Sequence, residues 1–344
     1  MKLVVTSFWI FPCDLLYVEA EVGDNGHFRV LGPVNGNPND EFYPWQKDYL
    51  EAISIPEAWG ILDSTAKRTP VTIAIIDEGI EATHPDLKGT VIKGYNVVDK
   101  NDDTRPRGPH GTYMAGIVGA IRNNKIGIAG VLDSVRILPI FDGEVSTYSA
   151  IEDAFTYLIN KREGDVRVIL MTAGSDSTSS QAVTEKIREA TAAGMLVVIT
   201  AGNEHLDLDK APYFPCSFSR SPTDGVLCVA ATYGSNMQLE DKSNFGSAVD
   251  IAAPGYDIAT TFLEGVYGTT SGTSGAAAIV AGIAGMLYSL EPSLEVKLTP
   301  AYIKSIIKDT ATGGIKGSKG KKTMSFGRVN AAAAVNKILG KKKV

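Results

Sequence analysis

Histidine and cysteine are scarce in this 344-residue chain, with four of the first and three of the second. Three cysteines cannot make a dense disulfide framework, and a chain of this length with 44% hydrophobic residues can bury a core without one, so a disulfide scaffold is excluded. Basic residues are in deficit: 33 Lys and Arg stand against 39 Asp and Glu, for a net charge of −6. That balance argues against a nucleic acid or an anionic membrane surface as partner, since both call for a basic face. Long apolar runs are missing as well. None approaches the ~20 residues of a membrane-crossing helix, so no membrane span is expected.

Glycine, by contrast, is abundant at 35 residues, which suits tight connections between strands and helices. Cys216 and Cys228 lie twelve positions apart across a Ser/Arg/Pro-rich loop. They pair if the protein is secreted, or are two small buried residues; spacing alone leaves both open. Cys13 is then the odd one, as expected of a residue in a removable segment. Residues 1–37 lack a clear period. Within them, the apolar run Leu3–Phe11 is interrupted by Pro12 and Asp14, which leaves a weak signal peptide, a propeptide remnant or an ordinary strand. Gly32–Asp40 (GPVNGNPND) reads as a linker, residues 38–338 as one large domain, and residues 339–344 as a basic tail. Lys316–Lys322 and Lys341–Lys343 read as solvated basic surface.

Past the linker, short β-branched apolar runs alternate with helical patterns. Val71–Asp77, Val135–Phe141, Val166–Thr172, Met195–Ala201 and Val226–Thr232 read as strands. Gly111–Arg122, Tyr148–Lys161, Ser180–Ala193, Thr273–Leu290 and Pro300–Lys308 read as helices. Strands apolar along their whole length need cover on both sides. The expected fold class is therefore α/β: a doubly wound, mostly parallel central sheet with helices on both faces, whose sites lie at the carboxyl ends of strands.

Among the histidines, His110 stands out because it opens a small-residue helix in the segment GPHGT. Asp77 ends an apolar strand, where this fold class places functional groups. Ser274 opens a long Ala/Gly/Ile run in TTSGTSGAAA, where helix amide groups and the helix dipole favour a developing anion. Each has a plainer reading: a satisfied core histidine, a turn or cap carboxylate, an N-cap serine. Taken together they stand in the order Asp, His, Ser.

In that order, and with its flanking blocks, the chain resembles the subtilisin-like serine proteases, or subtilases. The motifs are VTIAIIDEGIEATHPDL around Asp77, HGTYMAGIVGA from His110, VVITAGN ending in Asn203, and SGTSGAAAIVAG around Ser274. PNDEFYPWQ, IPEAW, KSNFGSAVDIAAPG and GRVNAAAAV match in the same order, so the resemblance covers about 38–338. It implies the subtilisin-like three-layer fold and a serine endopeptidase acting on polypeptides, secreted and monomeric, with a propeptide or proteinaceous inhibitor as further partner. Ser274 would be the nucleophile, His110 the base and then the acid, and Asp77 the group that orients the imidazole. Asn203 would complete the oxyanion hole with the Ser274 backbone N–H. Thr172, Ala173 and Gly174 would pair with substrate backbone, and Thr200, Ala201 and Gly202 would join them around the specificity pocket. The resemblance also implies structural Ca²⁺ at Asp86, Asn124, Ile126 and Ile128, through carboxylate, amide and carbonyl oxygens, and no catalytic cofactor.

Several positions depart from the family pattern. Glu78 replaces a small hydroxyl residue or Asp, which would cost Asp77 a hydrogen-bond partner. Gly275 stands where Met is usual, Ala278 where Pro is usual, Tyr113 in place of a second His, and Thr172 in place of Ser. The 37 residues before Pro38 are shorter than an ordinary prodomain, which leaves truncation or another route of maturation. Two other functions compete: a non-catalytic chain of this fold that binds peptides or inhibitors, and an esterase. The segment GTSGA and the chain order do not suit the esterase.

Overall fold

The structure, a computed structural model, describes residues 18–22, 28–33, 37–161, 166–174, 180–218, 224–294, 296–320 and 322–340. The apolar run Leu3–Phe11, Cys13 and the tail Lys341–Lys343 lie outside them. The chain divides into two compact units, 1–38 and 39–344. In the first, β1 (Val18–Val22) and β2 (Phe28–Pro33) pair antiparallel, so the stretch read as a linker begins as strand.

The second unit opens with α1 (Tyr43–Glu51) and α2 (Ile55–Asp63), each with proline in its first turn, where the missing N–H costs nothing. β3 (Val71–Asp77), β4 (Tyr95–Asn96), α3 (His110–Gly119), β5 (Val135–Phe141), α4 (Tyr148–Lys161), β6 (Val166–Met171), α5 (Gln181–Ala192) and β7 (Leu196–Thr200) follow. Then come β8 (Val226–Thr232), β9 (Ile251–Pro254), the antiparallel pair β10 (Ile258–Thr261) and β11 (Tyr267–Thr270), α6 (Thr273–Ser289), α7 (Pro300–Asp309) and α8 (Ala331–Ile338). Seven strands form one parallel sheet in the order β4-β5-β3-β6-β7-β8-β9. The chain leaves β3 toward one edge, then returns past it to start the other half at β6. The reversal falls beside β3, and that is where a doubly wound sheet opens a crevice.

Strand alternation sorts the core into two layers. Ile73, Ile75, Val168, Leu170 and Val198 face one way, into a cluster with α1, α2, α3, α6, α7 and α8. Ala74, Ile76, Ile169, Met171 and Ile199 face the other, against α4 and α5. The expected three-layer α/β architecture is present. α6 is the one described helix long and apolar enough to cross a membrane, contrary to the expectation that no apolar run approaches that length; 94% of the stretch is buried inside the molecule. Its small residues permit this: a Cβ added at Gly282 would stand 2.6 Å from Val131 Cγ1.

α3 is shorter than its periodicity suggests. Ala120 leaves helical geometry and its carbonyl accepts from Gly130 N, while Ile121 N donates to the Asp86 carbonyl, so tertiary bonds end the helix before Arg122.

Candidate active site

Asp77 is the last residue of β3, with its side chain 5% exposed. A carboxylate so buried needs donors, and it has three. Oδ1 accepts from Glu78 N at 2.9 Å; Oδ2 accepts from His110 Nδ1 at 2.8 Å and from Thr172 Oγ1 at 3.2 Å. The departure at Glu78 therefore leaves Asp77 well supplied, because its own neighbour's backbone and the first residue past β6 serve it.

His110 opens α3 and is half-buried. Burial works against a charged ring, but the hydrogen bond to Asp77 and the charges of Asp77 and Glu78 outweigh it and raise the pKa above the ordinary histidine value. With Nδ1–H donated to Asp77, Nε2 is left as the acceptor. The loop before His110 is organised by the buried Asn96: its Nδ2 donates to Asp99 Oδ2 and the Asp103 carbonyl, and its Oδ1 accepts from Val98 N and Asp99 N.

Ser274 is the second residue of α6 and half-buried; its side chain makes no hydrogen bond among the described residues. Gly272, at φ +139°, supplies a backbone turn that a side chain would resist, and Thr273 anchors the helix start. Thr273 N and Oγ1 both donate to Asn203 Oδ1, at 2.8 and 3.0 Å. Pinning the amide oxygen turns Nδ2 outward, where it has no partner among the described residues. Thr273 Oγ1 also bonds Thr200 Oγ1 and accepts from Gly202 N at 3.2 Å. β11 leads straight to this turn, and its partner β10 is bonded to α3: Thr260 and Thr261 hydroxyls donate to the carbonyls of Tyr113 and Thr112.

The structure thus joins Asp77 to His110, and Asn203 to the residue before Ser274; it places no hydrogen bond between His110 and Ser274. Thr172, Ala173 and Gly174 line a cleft of about 660 Å³ with Tyr148, Ile151 and Tyr213. The side chain of Thr200 is buried against Thr273, Ala201 is buried, and the backbone of Gly202 is bonded to Thr273, so these three lie behind the surface rather than on it. Asp142, just past β5, was missed in the sequence. Its N–H donates to the Asp77 carbonyl and its carboxyl accepts from Ser146 Oγ at 2.6 Å; burial, aided by the Asp77 charge, pushes its pKa up to about 6. No local motif marks it.

Away from the cleft, Asp86 is buried beneath the loop 122–128. Asn124 Nδ2 donates to its Oδ1 at 2.7 Å, and Ile128 N to its Oδ2 at 2.9 Å. Burial and the neighbouring Asp40 charge push its pKa up to about 6. Asp40, also buried, accepts from Asn123 N and Asn124 N; it is the second carboxylate that the sequence reading overlooked, inside the quoted block PNDEF. The Tyr267 hydroxyl is buried without a hydrogen-bond partner among the described residues, under the influence of the Asp86 charge, and its ring lies against Gly127 like Asp86 itself. Among the described residues no three Asp, Glu, His or Cys side chains cluster, so a cation here would lean on amide and carbonyl oxygens. Two neighbouring buried carboxylates suit a hard cation, although here both accept from N–H groups.

A parallel doubly wound sheet with a carboxylate–imidazole pair at the end of its central strand, and a serine opening a buried helix, has the makeup of a hydrolase that works through an activated hydroxyl. The chain belongs to the subtilase family, whose model matches residues 68–338, and is a subtilisin-like serine protease. It is 34% identical to thermitase of Thermoactinomyces vulgaris over 87% of this chain and 99% of that protein. It is 32% identical to a thermophilic serine proteinase of Bacillus sp. (strain AK1), over 87% of this chain and 69% of that protein. Among solved structures, a protease from Pseudoalteromonas arctica superposes with a TM-score of 0.74 at 28% identity, covering 88% of this chain and 99% of that one.

Proposed function

We propose that the chain is a serine endopeptidase in which Asp77, His110, Ser274 and Asn203 carry the reaction. The observation behind this reading is the 2.8 Å bond from His110 Nδ1 to the buried Asp77, which leaves Nε2 as a base. Ser274 Oγ attacks the scissile carbonyl as its proton passes to Nε2. The tetrahedral oxyanion accepts from Asn203 Nδ2 and Ser274 N, and Asp77 stabilises the imidazolium. Collapse expels the amine, protonated by His110, and leaves an acyl-enzyme. Water then repeats the proton path and frees the acid. The open His110–Ser274 pair is the usual state of such a bond before substrate fills the site.

Substrate backbone would add as a strand along Thr172–Gly174, a mode that also suits a propeptide or a proteinaceous inhibitor. All four groups come from one chain, consistent with a monomer, and the peptidase domain is taken as residues 38–338. Structural Ca²⁺ is assigned to Asp86 and Asn124 with the Ile126 and Ile128 carbonyls, joined by Asp40. The Cys216–Cys228 disulfide supports secretion, since such bonds persist in oxidising compartments.

A fluorophosphonate probe tests the central claim. Folded wild type should be labelled and should hydrolyse a peptide amide, while Ser274→Ala does neither. A folded wild type that resists the probe, or a Ser274→Ala variant with undiminished turnover, would refute it.

A further inference from the structure

None of the catalytic steps uses Glu78, although its carboxylate lies against the base. Glu78 Oε1 accepts the His110 N–H at 2.6 Å. That N–H is one of the donors a helix leaves unpaired at its start, and Pro109, the residue before α3, offers no side-chain cap. The Glu78 carbonyl accepts from Arg107 N at 2.9 Å, so the segment Arg107–His110 is held to Glu78 at both ends. Gly108 sits between them, and a Cβ there would come within 2.2–2.3 Å of the Glu78 carboxylate atoms. The chain keeps a glycine where the carboxylate lies.

We propose that Glu78 is a positioning residue for proteolysis: it holds the main chain of His110 while Asp77 holds the ring, and it sets a second negative charge beside the imidazole. This rests on the reading of His110 as the base. Nearby charge is otherwise accounted for. Asp77 faces the ring from β3 and Tyr113 from α3, with ring centroids 6.4 Å apart. β6 is followed by neutral Thr172, β10 brings Thr260 and Thr261, and the start of α6 carries no charged side chain. Arg105 and Arg107 are both paired with Asp103, and Asp142 past β5 is responsive to Asp77 and Glu78. Negative charge favours imidazolium, so it moves the active, neutral form of His110 to higher pH.

The test compares wild type, Glu78→Ala and Glu78→Gln on a chromogenic peptide amide across pH. Glu78→Ala should lose about 10- to 100-fold in kcat with KM far less affected, the scale of a slightly misplaced base. Glu78→Gln keeps an oxygen for the His110 N–H, so it should lose less, and its acidic limb should move to lower pH by about half a unit. Gly108→Ala should be costly in wild type and nearly free in Glu78→Ala, where the methyl finds room. NMR titration of His110 in the Ser274→Ala protein reads the charge without turnover and should give a lower pKa once Glu78→Gln is added. Wild-type kcat in Glu78→Ala, or equal cost of Gly108→Ala in both backgrounds, overturns the hold. An unmoved His110 pKa overturns the charge. If wild type itself hydrolyses nothing, the proteolytic reading fails, and the titration still decides what Glu78 does to His110.

Discussion

At the scale of single residues, the site depends on how a buried carboxylate is supplied with donors. Thr172 is the instructive member, because its hydroxyl reaches Asp77 Oδ2 at 3.2 Å while its neighbours line the cleft proposed for substrate. One residue thus ties the strand that would receive substrate to the group that would orient the base. Thr172→Val keeps shape and removes the donor. It should lower kcat about tenfold or more, about 1.5–3 kcal/mol for one hydrogen bond to a charged group, with a smaller change in KM. Steady-state kinetics on a peptide amide checks this, and an unaltered kcat would show that His110 and the Glu78 N–H suffice. The family resemblance implied a substrate contact for Thr172; its bond to Asp77 was not legible, because 95 residues separate the partners.

Among the elements, α6 does most to build the site. Its start is held by Thr273, which bonds Asn203, Thr200 and Gly202, so the proposed nucleophile and the proposed oxyanion donor share one anchor. Further along, the helix is close-packed, but Gly275 is not: the nearest atoms to an added Cβ are 3.7–3.8 Å away. The glycine that departs from the family pattern is therefore tolerated rather than required. Gly275→Ala should stabilise the protein by up to about 1 kcal/mol, the difference in helix propensity between the two residues. Thermal unfolding of the inactive Ser274→Ala background measures it without self-digestion. A lower melting temperature would show that the helix start cannot take even a methyl group.

At the scale of the whole molecule, residues 39–344 form a parallel sheet between two helical layers. The loop 122–128 closes over Asp86 and Asp40, two buried carboxylates whose pKa values burial raises. Charges so placed destabilise the fold unless a cation offsets them. Chelation should therefore lower the melting temperature, and added Ca²⁺ should restore it logarithmically with its concentration over the dissociation constant. Asp86→Asn should abolish that dependence. A melting temperature indifferent to chelator would dismiss the calcium assignment.

The family resemblance added Asn203 and the roles of all four site residues; the sequence by itself determined the α/β class, five of the parallel strands, most of the helices behind them, and the candidate residues Asp77, His110 and Ser274. Those features are local: period two or three-point-six, small residues at a helix start, a carboxylate ending a strand. Only the tertiary structure decided that Glu78 caps His110, that Thr172 feeds Asp77, that Asp40 and Asp142 are buried carboxylates, and that α3 stops at Gly119. It also turned Thr200 inward against Thr273, though the family resemblance had implied a place in the pocket. Each of these depends on atoms brought together across tens of residues by the sheet order, and a linear pattern carries no record of which loop ends meet.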